Sequence, residues 1–185
     1  MLQFIVQGRG GQGAQRAGEI LATMFFREGK YVQAYATYGG ARRGTPVSSF
    51  IRVDDKPIRL RCDIDNPDVI VCFDPSLLNA ALLRGAGPNT LVLVNSAKSS
   101  GYFSYLGNFR PVSIDATAIA QANGLGRIVN STLAGAVVGL LGEPGIDALS
   151  RVIREMSPVK QAENVAACLD GFKLVAQGGA LNVAG

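Results

Sequence analysis

The chain of 185 residues contains no histidine, no tryptophan and only three cysteines. Without histidine it lacks the commonest general base, the usual partner of serine and cysteine nucleophiles, and the commonest metal ligand. Cys62, Cys72 and Cys168 show no C-x-x-C spacing, which argues against disulfide, zinc and iron–sulfur frameworks and predicts buried thiols. These absences argue against an enzyme that works alone, and we assign neither a catalytic residue nor a metal site to this chain.

Long hydrophobic runs are also absent. The longest, residues 133–141, is too short to span a bilayer and is closed by Gly142-Glu143-Pro144. The N-terminus enters an apolar stretch with no basic leader or cleavage site. We therefore expect a cytoplasmic protein with no membrane partner.

The net charge of +4 is modest, but cations are concentrated between residues 42 and 61. Aromatic residues do not interleave with these cations, and no nucleic-acid motif is present, so we expect no nucleic-acid partner. An acidic partner surface or a ligand phosphate explains the cluster more simply. Its members are Arg42, Arg43, Arg52, Lys56, Arg59 and Arg61.

The most informative feature that is present lies near the N-terminus. The run Gly8-Arg9-Gly10-Gly11-Gln12-Gly13 follows the apolar residues 2–7 and precedes a stretch, 12–28, that is compatible with a helix. In this order, the first glycine permits a tight turn, the second lets an anion approach the backbone and the third lets helix and strand pack closely. The helix would direct its unpaired N–H groups and the positive end of its dipole at the loop, as the helix that follows a phosphate-binding loop does.

A second expected feature is missing. Dinucleotide folds carry Asp or Glu about 20 residues beyond the glycines, at the end of the second strand, to hold a ribose hydroxyl. Here the second predicted strand, 30–36, runs into Thr37-Tyr38-Gly39-Gly40-Ala41 without an acid. Three interpretations stay open: a site for a phosphate-bearing cofactor, a self-contained NAD site, and a loop that only allows tight packing or seats against another chain.

Short apolar runs alternate with helical stretches along the whole chain, which predicts an α/β fold with three layers and a mostly parallel, Rossmann-like sheet. We predict strands at 69–73, 90–95 and 112–115, C-terminal helices at 130–141, 146–155 and 160–175, and a single domain over 1–185. Residues 46–53 and 58–61 predict an inserted β-hairpin, whose arginine face is either a solvated edge or a docking surface. Asp74 before Pro75 is typical of a helix cap, although a catalytic acid is the alternative.

Three stretches together go beyond generic α/β architecture. The glycine run 8–13, the run 38–47 with Arg42-Arg43-Gly44-Thr45-Pro46-Val47, and the run Asp54-Asp55-Lys56-Pro57-Ile58-Arg59 follow one another at a particular spacing. In order and spacing they resemble the gamma subunit of the 2-oxoacid:acceptor oxidoreductases. The forms Arg-Arg-Gly-x-Pro-Val and Asp-Asp-Lys-Pro-Ile are more similar to the pyruvate type than to the 2-oxoglutarate type, with aryl-glyoxylate and branched-chain enzymes as alternatives.

The resemblance implies one subunit of an enzyme that oxidatively decarboxylates a 2-oxoacid to an acyl-CoA. Other chains of such complexes, thiamine-binding and ferredoxin-like, hold thiamine diphosphate with Mg and the [4Fe-4S] clusters. They pass electrons to ferredoxin or another acceptor. The chain itself is then expected to hold no cofactor alone and to leave the chemistry to cofactors bound elsewhere.

The resemblance also directs attention to a set of binding residues on this chain. We expect two loops to face coenzyme A or a partner subunit: the glycine loop, residues 8–13, and the arginine loop, which contains Arg42, Arg43 and Gly44. Gln12 is expected to cap or bridge the helix start. A purely structural assembly subunit and a free-standing NADP-binding reductase are the alternatives. The candidate binding residues are Gly8, Gly10, Gly11, Gln12, Gly13, Arg42, Arg43 and Gly44.

Overall fold

The computed structural model describes residues 1–40 and 44–179, with the backbone alone for 177–179. Its strands form one six-stranded sheet in the order β2-β3-β1-β4-β5-β6. The strands are β1 Leu2–Arg9, β2 Tyr31–Tyr38, β3 Pro46–Asp54, β4 Val69–Cys72, β5 Leu91–Asn95 and β6 Arg110–Ile114. The helices are α1 Ala14–Arg27, α2 Ala116–Ala122, α3 Asn130–Leu141, α4 Ile146–Met156 and α5 Gln161–Gly179.

The sheet is mostly parallel, as predicted. Strands β1, β4, β5 and β6 run in one direction, and β3 is antiparallel to both of its neighbours, β1 and β2. The four residues of β4 are buried throughout, as expected for a central parallel strand with both faces covered. Only β3 departs from the parallel arrangement.

The hairpin has a different second arm from the one predicted. Strand β3 matches the predicted 46–53, but residues 58–61 form no strand, and the hairpin partner is the preceding β2. The reason is that β1 and β2 already occupy both edges of β3, which leaves no free edge for a returning segment. Side chains hold that segment instead, since the amide of Gln33 donates to the carbonyl of Leu60 over 2.8 Å.

Side chains alternate between two cores on opposite faces of the sheet. On one face, Phe4 and Leu93 belong to a large core that helices α1, α3, α4 and α5 cover. On the other face, Ile5 and Val92 belong to a smaller core. That face is covered by irregular segments and two short 3₁₀ helices, Pro75–Leu77 and Ser100–Leu106. The three predicted layers are present, but the third contains no α-helix among the described residues.

The helices begin and end close to the predicted limits. Helix α1 starts at Ala14 rather than at residue 12, because Gly13 adopts a left-handed conformation (φ 89°) that ends the helical geometry. Helix α2 has no counterpart among the predicted elements, since seven residues give too little periodicity to detect. Within the ranges that the structure describes, no helix combines the length and the apolar character needed to cross a bilayer.

Candidate functional site

The glycine loop lies at the carboxyl end of β1, where α/β sheets place their ligand sites. Gly11 (φ 96°) and Gly13 (φ 89°) both adopt the left-handed region that favours glycine. Gly13 caps α1 with no side-chain hydrogen bond, so the first turn of the helix lacks the usual Ser, Thr, Asp or Asn acceptor. The loop therefore leads into an open helix N-terminus.

Gly8 serves a role different from the tight turn predicted for the first glycine. It lies inside β1, and a Cβ added there would come within 3.0 Å of the Cβ atoms of Ala14 and Phe73. Only the absence of a side chain lets α1 approach β1 and the end of β4 so closely. The first glycine thus permits the helix–strand packing that the sequence pattern assigns to the third.

Three backbone N–H groups of the loop, those of Arg9, Gly10 and Gln12, donate hydrogen bonds within the protein. Gly10 donates to the carbonyl of Thr45 over 2.9 Å, and Arg9 donates to Oε1 of Gln12 over 2.7 Å. Gln12 therefore bridges the end of the loop to its start, which is one of the two roles predicted for it. It does not cap the helix. Its own N–H donates to the carbonyl of Arg9 over 2.9 Å.

Other N–H groups of the loop are free. Those of Gly11, Gly13 and Ala14 have no hydrogen-bond partner among the described residues. The first intrahelical bond begins only at the N–H of Ala17, which donates to the carbonyl of Gly13. These free donors and the positive end of the helix dipole together favour an anion at this point.

Arg9, the second residue of the motif, organises the surroundings of the loop. Its Nε lies 2.9 Å from Oδ2 of Asp74, one Nη donates to Oγ of Ser76 over 2.8 Å, and the other donates to the carbonyl of Gly44 over 3.1 Å. One guanidinium therefore ties the end of β1 to the end of β4 and to the loop that follows β2. The motif assigned no role to Arg9, although the parallel register Gln7↔Cys72 continues to Arg9 opposite Asp74 and could have indicated this pair.

Asp74 is a helix cap, as predicted. Its Oδ1 accepts from the N–H of Ser76 over 3.0 Å, at the start of the 3₁₀ helix Pro75–Leu77. Burial alone would raise the pKa of Asp74, but the hydrogen bonds from Ser76 and the guanidinium of Arg9 outweigh it and hold the pKa below its ordinary value of 3.8. The carboxylate stays ionised at neutral pH, so Asp74 is a poor candidate for the alternative role of catalytic acid.

Two clefts flank the glycine loop. The larger, of about 890 Å³, is lined by Gly11, Gly13, the first turn of α1, Tyr38 and Thr45. The second, of about 550 Å³, lies over the ends of β4 and β5 and is lined by Gly10, Gly11, Asn95 and Arg127 among others. Asn95 is engaged in structure there, since its amide donates to the carbonyl of Phe73 over 3.2 Å. The free donors of Gly11 and Gly13 thus adjoin the larger cleft.

The predicted arginine pair, Arg42 and Arg43, lies outside the described residues. Gly40 and Thr45, which bracket the pair in the sequence, both line the larger cleft. Gly44 (φ 87°) donates to the carbonyl of Gly10 over 3.4 Å, so the two glycine-containing loops are in direct contact. The structure therefore brings Gly44 together with the loop 8–13.

The basic cluster predicted for residues 42–61 is not one surface. Arg52 is only 1% exposed, and neutral acceptors surround its guanidinium: the side-chain oxygens of Gln3 and Gln33 and the carbonyls of Cys62 and Asp63. Strand β3 runs away from the glycine loop, so Lys56, Arg59 and Arg61 follow its far end, beside the start of β1. Lys56, Arg59 and Arg61 therefore lie at the opposite end of β1 from the glycine loop.

The three cysteines stand apart. Cys62 is exposed, whereas Cys72 and Cys168 are buried, and burial raises the pKa of each of these two thiols to about 12. Within the described part of the chain, no three His, Cys, Asp or Glu side chains are grouped so that they could hold a metal ion. The three cysteines do not fit an iron–sulfur cluster, which takes four cysteine ligands.

The fold, with its glycine loop between β1 and α1, is that of one class of protein. The family model of the pyruvate ferredoxin/flavodoxin oxidoreductases matches residues 3–174, and the chain belongs to that family. Within the family it is a gamma-type subunit, one chain of a multi-subunit oxidoreductase.

Two relatives and one solved structure illustrate this assignment. The pyruvate synthase subunit PorC of Methanothermobacter marburgensis is 43% identical over 162 residues, which is 86% of this chain and 89% of the relative. The pyruvate/ketoisovalerate oxidoreductases common subunit gamma of Thermococcus kodakarensis is 41% identical over 160 residues, 84% of this chain and 86% of the relative. The crystal structure of pyruvate oxidoreductase subunit PORC from Thermotoga maritima superposes with a TM-score of 0.82 at 32% identity, covering 93% of this chain and 95% of that one.

Proposed function

We propose that the chain shapes the coenzyme A side of a 2-oxoacid oxidoreductase of the pyruvate type. The complex would convert a 2-oxoacid, CoA and an oxidised acceptor such as ferredoxin into acyl-CoA, CO₂ and the reduced acceptor. Thiamine diphosphate with Mg and the [4Fe-4S] clusters would lie on other subunits, and no residue of this chain is given a catalytic role. The names of the relatives, pyruvate synthase and pyruvate/ketoisovalerate oxidoreductase subunits, support this substrate class.

One observation carries the proposal: the free N–H groups of Gly11, Gly13 and Ala14 at the start of α1, beside an open cleft. Coenzyme A carries a pyrophosphate and a 3′-phosphate, and oriented N–H groups at a helix N-terminus bind such anions. The remaining glycines, Gly8 and Gly10, and the bridging Gln12 would hold the loop in shape. Arg42, Arg43 and Gly44 would complete the site from the adjoining loop, with the guanidinium groups pairing to CoA phosphates or partner carboxylates.

The replacement Arg43→Ala tests this role in the reconstituted complex. A charge-assisted hydrogen bond to phosphate is worth about 1.5–3 kcal/mol, so the KM for CoA should rise roughly tenfold to a hundredfold. The KM for the 2-oxoacid should stay the same. Arg84→Ala is the matched control, because Arg84 is exposed and its side chain makes no ion pair with a described residue.

The main rival is a purely structural assembly subunit, whose glycine loop touches only protein. It predicts that Arg43→Ala lowers the yield of assembled complex and leaves the CoA kinetics of the surviving complex unchanged. If neither assembly nor the KM for CoA changes, the role given to Arg43 is wrong.

We further propose that residues 1–185 form one domain, since one sheet joins all the described strands, and that the protein works in the cytoplasm.

A further inference from the structure

The two edges of the sheet are protected to different degrees. Edge strand β6 is short and carries Arg110 and Pro111, which discourage pairing with another strand. Its main chain is also capped, because the N–H of Ser113 donates to Oγ of Ser100 over 3.0 Å. This edge is closed to a further strand.

Strand β2, at the opposite edge, has none of these features. Its eight residues, Tyr-Val-Gln-Ala-Tyr-Ala-Thr-Tyr, include no charge and no proline. Tyr31 and Tyr38, at its two ends, are 49% and 59% exposed. No backbone group of β2 makes a hydrogen bond outside the β2–β3 ladder to another described residue. A long, uncharged edge of this kind is a template for another strand.

A groove of about 430 Å³ accompanies the first half of this edge. Tyr31, Ala34 and their neighbours form one wall, and Pro57, Ile58 and Arg61 form the other. Leu60, next to Arg61, is 43% exposed. The groove thus offers main-chain groups together with apolar surface.

The charges beside the groove indicate what would occupy it. Lys56, Arg59 and Arg61 are exposed, and none of them makes an ion pair with a described residue. Within residues 56–63 the three cations face a single carboxylate, that of Asp63, so this segment carries an excess of positive charge. Of the flanking carboxylates, Asp54 is paired with the N-terminal amine and Asp55 with Lys30, and Asp65 lies beyond the segment. A segment that carries carboxylates would complement it.

A second copy of this chain is a poor occupant. Antiparallel pairing of two β2 strands places the beginning of each strand against the end of the other. The beginning of β2 lies beside Arg61, and β2 itself carries no charged residue. Self-pairing would therefore offer no carboxylate to Arg61 and the neighbouring cations, so a second copy complements this edge poorly.

We propose that the free edge of β2 docks an extended, carboxylate-bearing segment of another subunit of the oxidoreductase complex, which adds a strand to this sheet. The proposal rests on the membership of the chain in a multi-subunit enzyme and not on the role of the glycine loop. Loss of docking and loss of CoA binding are therefore separable: the first lowers the yield of complex, and the second raises the KM for CoA in complex that has formed.

The test compares Ala34→Glu with Ala34→Gln in the chain co-expressed with the other subunits. Ala34 is exposed on β2 and lines the groove, so both variants should fold. The two new side chains match in size, and only Glu adds a negative charge to the edge strand, next to the acidic segment that would pair with it. We expect the Glu variant to be recovered in complex about tenfold less than the Gln variant, at equal thermal stability of the isolated chains.

Hydrogen exchange on the natural sequence provides a second measurement that needs no variant. Amides of residues 31–38 that face outward should exchange rapidly in the isolated chain and slowly in the assembled enzyme. Equal recovery of the two variants, or equal exchange with and without the other subunits, would overturn the proposal. A homodimer that Ala34→Glu abolishes, with normal assembly of the complex, would overturn it too and would assign the edge to a second copy.

Discussion

Arg9 and Asp74 show how one pair of side chains connects three segments around the glycine loop. The pair joins the ends of two neighbouring parallel strands, and the remaining donors of Arg9 reach Ser76 and Gly44. Because Arg9 holds the carbonyl of Gly44, the loop that follows β2 is anchored to the glycine loop. Burial opposes the ionised form of Asp74, but the hydrogen bonds from Ser76 and the guanidinium of Arg9 favour it and outweigh burial.

We expect Asp74→Asn to lower the free energy of unfolding by roughly 2 kcal/mol at neutral pH, since hydrogen bonds to an ionised acceptor are lost. The pKa of Asp74 is depressed in the folded state, so its stabilising effect is complete above the unfolded pKa and disappears as the pH falls below about 3.8. The difference between the two proteins should therefore shrink in acid. Denaturant titrations between pH 7 and pH 2.5 measure it.

Asp65→Asn is the control for this prediction, because the Asp65 side chain is exposed and makes no hydrogen bond or ion pair with a described residue. Its stability should match that of the natural sequence at every pH. A stability difference for Asp74→Asn that persists unchanged to the lowest pH would show that the carboxylate charge is not what stabilises the loop.

At the scale of elements, α3 and α5 pack through glycines. A Cβ on Gly135 of α3 would lie 2.0 Å from the carbonyl oxygen of Cys168, and one on Gly171 of α5 would lie 2.3 Å from that of Thr132. Each helix thus presents a glycine to the backbone of the other. The small residues of α3 allow this close contact between the two helix backbones.

We expect Gly135→Ala to destabilise the chain by about 1–3 kcal/mol, because the added methyl group forces the two helix backbones apart. This figure is the net effect and already includes the gain of roughly 1 kcal/mol that alanine brings to a helix interior. Thermal unfolding of the isolated chain measures the change, which should appear as a fall of several degrees in Tm. Gly101→Ala is the matched control, since a Cβ there meets nothing within 4 Å. Equal Tm values for the two variants would contradict the packing argument.

At the scale of the whole molecule, strand order decides which nucleotide sites are possible. In a dinucleotide fold the second parallel strand lies beside the first and brings its acid to the glycine loop. Here the antiparallel β3 lies between β1 and β2, so the end of β2 is one strand further away. The residues at that end, Tyr38 and Gly39, supply no carboxylate.

The isolated chain should therefore bind NADP only weakly, with a Kd above about 1 mM, which corresponds to less than roughly 4 kcal/mol. Isothermal titration calorimetry of the isolated chain against NADP and against NAD measures this directly. A micromolar Kd for either nucleotide would contradict the argument from strand order and would support the alternative of a free-standing reductase.

Much of the fold could be predicted from the sequence because the signals are local. Continuous apolar runs identify the parallel strands, as in β4, and Gly11 and Gly13 mark a turn with positive φ. Their position between a strand and a helix indicates the candidate site from the sequence alone. The strand predicted at 58–61 was wrong because its formation depends on a distant part of the chain. Alternation of apolar and polar residues indicates a strand, but it does not show whether a sheet edge is free to pair with it.

The sequence by itself determined the class of fold, the glycine loop and the family, because these follow from residue types and spacing along the chain. Tertiary structure alone decided that Arg9 pairs with Asp74, that Arg52 is buried among neutral acceptors, and that β2 is left open at the edge of the sheet. Each of these depends on which strands are neighbours and in what register, and that is settled by packing between segments far apart in the chain.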